Sequence, residues 1–307
     1  MTDSMAVRPK RKGSSDLRRR QMVSWAMLVP WLCFYAVTVL VPILVVAILS
    51  VTDFDMFRFP QFVGLDNYLN IFVNDPVFLQ SLVNTLVFAV ITGPVGFLLS
   101  FVVAWLISDF NPKLRSVITL VFYAPSISGT VYVIWQFIFS PDQYGIANSV
   151  LERLGLIDEP LVWFQDPSLS LGLLIVVQLW LSLGVGFLAF VAGLQNINPE
   201  LYEAGSIDGI RNRFEELWYI TLPTMKPMLL FGGINQITTA FAVSDISMTL
   251  AGFPSIQYSA HTLALHAYDY GMIRYEMGYA AAISVVQFLL ILFAYKFFTL
   301  ILSKTGE

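Results

Sequence analysis

Apolar runs of 18 or more residues, almost free of charge, recur from one end of this 307-residue chain to the other. Each is long enough to cross a hydrocarbon core about 30 Å thick, where only helices and closed barrels satisfy their own backbone groups. Six can be read, at about 22–51, 79–107, 114–140, 169–194, 227–250 and 277–302. The predicted fold class is an all-α integral membrane protein with six transmembrane helices. Charged residues make up 12% of the chain, against about 25% in soluble proteins. Pro30, Pro42 and Pro94 fall inside the runs, which membrane helices tolerate where neighbours satisfy the freed carbonyls.

Arg18, Arg19 and Arg20 precede the first run and loosely resemble a twin-arginine or secretory signal. A signal's apolar region is only about 7–15 residues and ends at small residues. This one continues from Met22 to Val51 without such a site, so it reads as a retained span behind a basic tail, 1–21, with the six-span domain over 22–307. Cys33, the single cysteine, lies within the run and supports neither a disulfide nor a thiolate metal cluster.

Lys and Arg set the direction. Arg8, Lys10, Arg11, Lys12, Arg18, Arg19, Arg20, Lys113, Arg115, Arg211, Arg213, Lys226, Lys296 and Lys304 all fall on one side of a six-span arrangement. Arg58, Arg153 and Arg274 fall on the other. The excess of positive charge on cytoplasmic loops then places both termini, and the loop 198–227, in the cytoplasm. Between spans three and four, Gly145 to Leu154 has helical periodicity, with Ile146, Val150, Leu151 and Leu154 on one face. It suits a lid on the membrane surface and a docking surface for an external partner equally well.

The loop 198–227 is a polar island, NPELYEAGSIDGIRNRFEELWYITLPTMKP, between two spans. Asn198 is a good N-cap, Pro199 suits the first helical position, and Glu200 and Glu203 favour the positive helix end. A helix over 199–208 should stop at Gly209, and a second should run over about 210–220. Pro223 and Pro227 then restrict the chain as it returns to the membrane.

Glu203-Ala204-Gly205, Asp208-Gly209, Phe214 and Ile220-Thr221-Leu222-Pro223 resemble the cytoplasmic Glu-Ala-Ala motif of permease subunits of bacterial binding-protein-dependent ABC importers. Gly205 stands where Ala is usual, and Ile210 also departs from the pattern. Phe62-Val63-Gly64-Leu65-Asp66-Asn67-Tyr68, Asn84-Thr85, Asp245 and Gly278-Tyr279-Ala280-Ala281-Ala282 are similar to elements of the carbohydrate-uptake, maltose-type branch. That branch's Gly-Gly-Pro after span five is replaced by Gly252-Phe253-Pro254. The resemblance implies a type I ABC importer permease fold in the bacterial inner membrane, with 198–227 as a coupling hairpin. It also implies three partners: a cytoplasmic ATPase dimer carrying ATP and Mg, a second and different permease chain, and an extracytoplasmic solute-binding protein. Glu203, Ala204, Gly205, Asp208, Gly209, Arg213, Phe214, Leu217, Trp218, Leu222 and Pro223 would then meet the ATPase. The charged members would pair with its charges, and Phe214, Leu217 and Trp218 would anchor in apolar pockets.

No P-loop sequence occurs, so ATP hydrolysis is expected on another chain, and no enzyme activity is expected of this one. His261 and His266 lack the spacing of a metal helix and are expected as surface side chains of an outer loop. No cofactor or metal is therefore assigned to this chain. Polar groups at membrane depth face the bundle interior or a wet cavity. That makes Trp135, Gln136, Gln178, Asn235, Thr238, Thr239 and Asp245 the pathway candidates, with Asn235, Thr238, Thr239 and Ala242 on one face of span five. Amides, hydroxyls and aromatics suit a neutral sugar or oligosaccharide. The alternative is an autonomous secondary transporter of a neutral solute, although such carriers usually show repeated halves and buried ionisable residues.

Overall fold

The computed structural model describes residues 14–129 and 131–304; most of the expected basic tail, 1–13, lies outside them. Helix α1 (Ser14–Tyr35) passes through a wide turn at Ala36–Leu40 into α2 (Val41–Leu49). It begins inside the expected tail, where Ser14, Ser15 and Asp16 are residues that favour a helix start. After the short α3 (Asp66–Leu69) come α4 (Pro76–Ile107) and the bent pair α5 (Pro112–Ile127) and α6 (Tyr132–Ile138). The helix expected near Gly145 is α7 (Ile146–Arg153). Next are α8 (Ser170–Leu181) and α9 (Val185–Gln195), then α10 (Glu200–Ile207), α11 (Arg213–Glu216) and α12 (Leu222–Thr224). The chain ends with α13 (Lys226–Phe241), α14 (Asp245–Leu250), α15 (Leu263–Tyr268) and α16 (Met277–Lys304).

Among the described residues, four stretches are long and apolar enough to cross a membrane: Gln21–Leu49, Pro76–Ile107, Ser170–Gln195 and Met277–Leu302. Counting α5 and α6, bent by 86°, as one makes five. The expected span 227–250 is not a single helix. It breaks between Phe241 and Asp245, and α13 alone, at 16 residues, is about 24 Å long. Side chains take up the carbonyls that the break frees. Gln287 donates to the Phe241 carbonyl at 2.9 Å, and Thr262 to that of Val243 at 2.6 Å.

The core lies between α4, α8, α9 and α13. At one end Phe88, Leu174, Val177, Ile246 and Leu250 pack together; at the other, Phe101, Phe187, Phe190, Met225 and Leu229. Rings from α4, α9 and α16 meet edge to face, with Phe97 against both Phe190 and Phe298. The Phe62-Val63-Gly64-Leu65-Asp66-Asn67-Tyr68 element ties α3 back to the end of α2. Asn67 donates to the Ser50 and Thr52 carbonyls, and Tyr68 to Ser50 Oγ.

Glycine lets α9 and α13 approach. Gly186 and Gly232 face each other, and a Cβ on Gly232 would collide with the Phe190 ring. Gly232→Val is therefore expected to lower stability by about 1–3 kcal/mol through overpacking. Gly172→Ala, which meets open space, should be close to neutral. Thermal unfolding in detergent distinguishes them; equal effects would contradict this packing.

Candidate functional site

Two helix breaks face one cavity. α5 ends after Pro125, and α8 stops at Leu181 before α9 resumes at Val185. Irregular backbone at membrane depth is tolerated where it is buried in protein or lines a cavity. The α8–α9 break is buried at Ser182 and Leu183, and the more exposed α5 break lines the cavity. The space between the breaks, about 300 Å³, is lined by Tyr123, Ser126, Ser128, Tyr132, Gln178, Ser182, Asn235, Gln236 and Thr239 with apolar neighbours. Ser100 on α4 donates to the Ser182 carbonyl at 2.9 Å, satisfying the α8–α9 break. Gln236 donates to the Thr92 carbonyl at 3.1 Å and sits over Gly96, where a Cβ would strike its amide.

Of the pathway candidates, Gln178, Asn235 and Thr239 line this cavity. Asn235 and Thr239 are one helical turn apart. Thr238 is turned off that face, is exposed, and bonds the Ile234 carbonyl of its own helix. Trp135 is packed between Phe139 and Trp180 at 5.8 and 5.4 Å, in the core beside the cavity. Gln136 joins α6 to α14 by donating to the Thr249 carbonyl at 2.9 Å. Asp245 opens α14 and accepts from Ser244 Oγ. Ser126, Ser128, Tyr132 and Ser182 were not anticipated. The sequence Pro125-Ser126-Ile127-Ser128-Gly129, with a proline and a glycine inside an apolar run, carries the signal for the first two.

The hairpin is built largely as its sequence dictates. Asn198 Oδ1 accepts the Glu200 amide at 3.2 Å, and the helix starts at Glu200, one residue later than expected. Gly209 has φ +99° and closes the helix in a Schellman reversal, with the Ile210 amide donating to the Gly205 carbonyl at 3.0 Å. The second helix starts at Arg213 and not at 210, because Asn212 Oδ1 caps the Phe214 and Glu215 amides. It passes through a wide turn, Leu217–Thr221, into α12. A methyl on Gly205 would lie 2.7 Å from Ile220 Cδ1 and 3.0 Å from Ile210 Cδ1, so glycine at this position makes room for both isoleucines. Glu203, Ala204, Asp208, Gly209 and Pro223 are exposed, Leu217 and Leu222 are half-buried, and Gly205 is buried. Phe214 is 73% exposed and Trp218 64%. Ile207, 85% exposed, extends this apolar surface and was not singled out from sequence. Arg213 finds its partners within the chain, in Asp109 and the Trp105 carbonyl.

No family model matches the chain. It is 30% identical to the probable ABC transporter permease protein YesP of Bacillus subtilis, covering 96% of this chain and 94% of that protein. The chain belongs to the ABC transporter permeases. The permease is also 31% identical to the lactose transport system permease protein LacF of Rhizobium radiobacter, over 90% of this chain and 93% of that one. With the arabinooligosaccharides transport system permease protein AraP of Bacillus subtilis it shares 32% identity over 76% and 73%. A crystal structure of a bacterial ABC transporter involved in the import of the acidic polysaccharide alginate contains a chain of the same fold. Its TM-score is 0.71 at 24% identity, covering 91% of the permease and 96% of that chain.

At the end of the bundle opposite the hairpin, the permease buries a titratable cluster. His261 and His266 were expected at the surface; each is only 1% exposed. Asp75 caps α4 by accepting the Phe78 amide, and its other oxygen accepts from His266 Nε2 and Tyr279, each at 2.8 Å. This three-way joint lies between α4, α15 and α16, and its apolar surroundings include Phe78, Leu263 and Ile283. Burial works to raise the Asp75 pKa, but bonds from His266, the Phe78 amide and Tyr279 hold it below the ordinary value. Burial lowers the His266 pKa, although the bond to Asp75 opposes this. His261, whose ring nitrogens meet no hydrogen-bonding group among the described residues, is lowered to about 4 by burial and by neighbouring His266.

The sign follows. Unfolded His261 takes up a proton near pH 6.5, while the folded state resists until about 4. Stability should therefore fall as pH drops through that window, by up to about 1.4 kcal/mol per pH unit for this one group. His261→Phe should flatten the decline in thermal stability between pH 6.5 and 4.5. An unchanged slope would contradict the assignment.

Proposed function

We propose that this permease forms half of an alternating-access pathway for a neutral sugar or oligosaccharide. The observation that carries the substrate class is the cavity lining. Among the described residues it consists of hydroxyls, amides and two tyrosines with apolar neighbours, without a charged side chain. Sugar hydroxyls need both donors and acceptors, and sugar ring faces pack on aromatic surfaces, which Tyr123 and Tyr132 offer. A carboxylate or phosphate would want Arg or Lys. The relatives named for lactose and arabinooligosaccharide transport favour the same reading.

In this account α13 and α14 together make the fifth of six crossings and both termini lie in the cytoplasm. The 198–227 hairpin docks on a separate ATPase that holds ATP and Mg, a second and different permease chain completes the pathway, and an extracytoplasmic binding protein delivers the solute. Phe214, Trp218 and Ile207 would fill apolar pockets on the ATPase, with Glu203 and Asp208 at the rim. ATP-driven closure of the ATPase dimer would draw the hairpins together and open the cavity outward, and hydrolysis would reset it. The permeases most similar to this chain belong to ABC systems, so the secondary-transporter alternative has no support.

The test is uptake by proteoliposomes holding the whole complex, offered radiolabelled lactose, an arabino-oligosaccharide and an alginate oligosaccharide. Wild type should carry a neutral sugar. Asn235→Leu with Thr239→Val should cut that uptake on the order of tenfold or more, since each unmet sugar hydroxyl costs about 1–3 kcal/mol. Transport of the charged oligosaccharide alone, or full uptake by the double variant, would contradict the proposal.

A further inference from the structure

Arg213 opens α11, yet its guanidinium is spent on the far end of α4. Nη1 lies 2.6 Å from Asp109 Oδ2, and Nη2 donates to the Trp105 carbonyl at 2.8 Å and more weakly to Ser108 Oγ at 3.5 Å. The guanidinium carbon sits 4.3 Å from the Trp105 ring centroid, and the Phe214 ring is 5.5 Å from the same indole. The Trp105 carbonyl belongs to the last turn of α4, where it also accepts the Ser108 amide and hydroxyl and where the negative helix end favours a cation. Only a planar fork bonds a carbonyl and a carboxylate while lying on an indole; a lysine offers a point charge. Beside it, Arg115 donates to the Ser108 carbonyl and to Gln195 Oε1, both at 3.1 Å, fixing the same corner to α5 and α9.

From this corner α4 runs up the bundle to Thr92, whose carbonyl accepts from Gln236 in the cavity wall. We propose that Arg213 is a positioning residue that ties the hairpin to α4, handing hairpin movement to the cavity by a second route. The first route is the chain itself, through α12 into α13. The inference rests on the hairpin's coupling role proposed above. Without the tie, the hairpin would still meet its ATPase, but its displacement would reach α13 alone, and ATP would be hydrolysed with less solute moved.

The test measures sugar carried per ATP hydrolysed in proteoliposomes of the complete complex, using whichever of the three oligosaccharide probes the wild type carries. Asp109→Asn breaks the ion pair from the α4 side and leaves the hairpin surface intact; Arg213→Lys removes the fork. Both should lower the ratio by about twofold to fivefold, the scale of a partly exposed ion pair, while the ATPase still co-purifies. Asp109→Glu should restore most of it. A wild-type ratio in both variants, or a loss of uptake that only tracks loss of the ATPase, would overturn the inference. A wild type without ATP-driven uptake would contradict the coupling reading itself, and this inference with it.

Discussion

Backbone groups inside hydrocarbon must find partners within the protein, and this permease breaks its helices at membrane depth all the same. The breaks between α8 and α9 and between α13 and α14 are compensated by side chains from other elements. Ser100 serves the Ser182 carbonyl, Gln287 that of Phe241, and Thr262 that of Val243. An unmet buried carbonyl costs about 1–3 kcal/mol, so these three bonds decide whether the breaks are tolerable. Two of the breaks, after Pro125 and at Ser182–Gly184, open onto the same polar cavity. Polar surface is thus concentrated where backbone irregularity is already provided for.

The two ends of the bundle use charge differently. At the hairpin end, Arg213, Asp109 and Arg115 are partly exposed, and their bonds join separate elements without sealing them. At the other end, Asp75 holds His266 and Tyr279 in apolar surroundings, where breaking one bond strands a buried polar group. The first arrangement suits a joint that moves, and the second a fixed corner.

Much of this was legible in the sequence, and what was not has physical reasons. Apolar run length gave the membrane class, and Asn198, Gly209 and Leu222-Pro223 gave the hairpin, because caps and reversals are local chemistry. Span 227–250 read as one helix because its break depends on Thr262 and Gln287, which approach only in the fold. Periodicity grouped Thr238 with Asn235 and Thr239, but the cavity takes in a narrower arc of α13. His261 and His266 looked like surface residues because Asp75, the partner of His266, lies 191 positions away. Arg213 looked free for an external charge because Trp105 and Asp109 lie more than a hundred positions away. Gly205 was read as a departure without a cause, and only packing places it against Ile220 and Ile210.

The central claim is that the broken helices wall the solute pathway, and side-specific thiol labelling tests it most directly. In a Cys33→Ser background, cysteines at Ser128 and at Thr239 would be exposed in turn to a membrane-impermeant maleimide from each side of the membrane. The measurement is made on the assembled complex with and without ATP. The account predicts that both positions react from one side without ATP and from the opposite side with it. Labelling from neither side, or from the same side in both states, would contradict it.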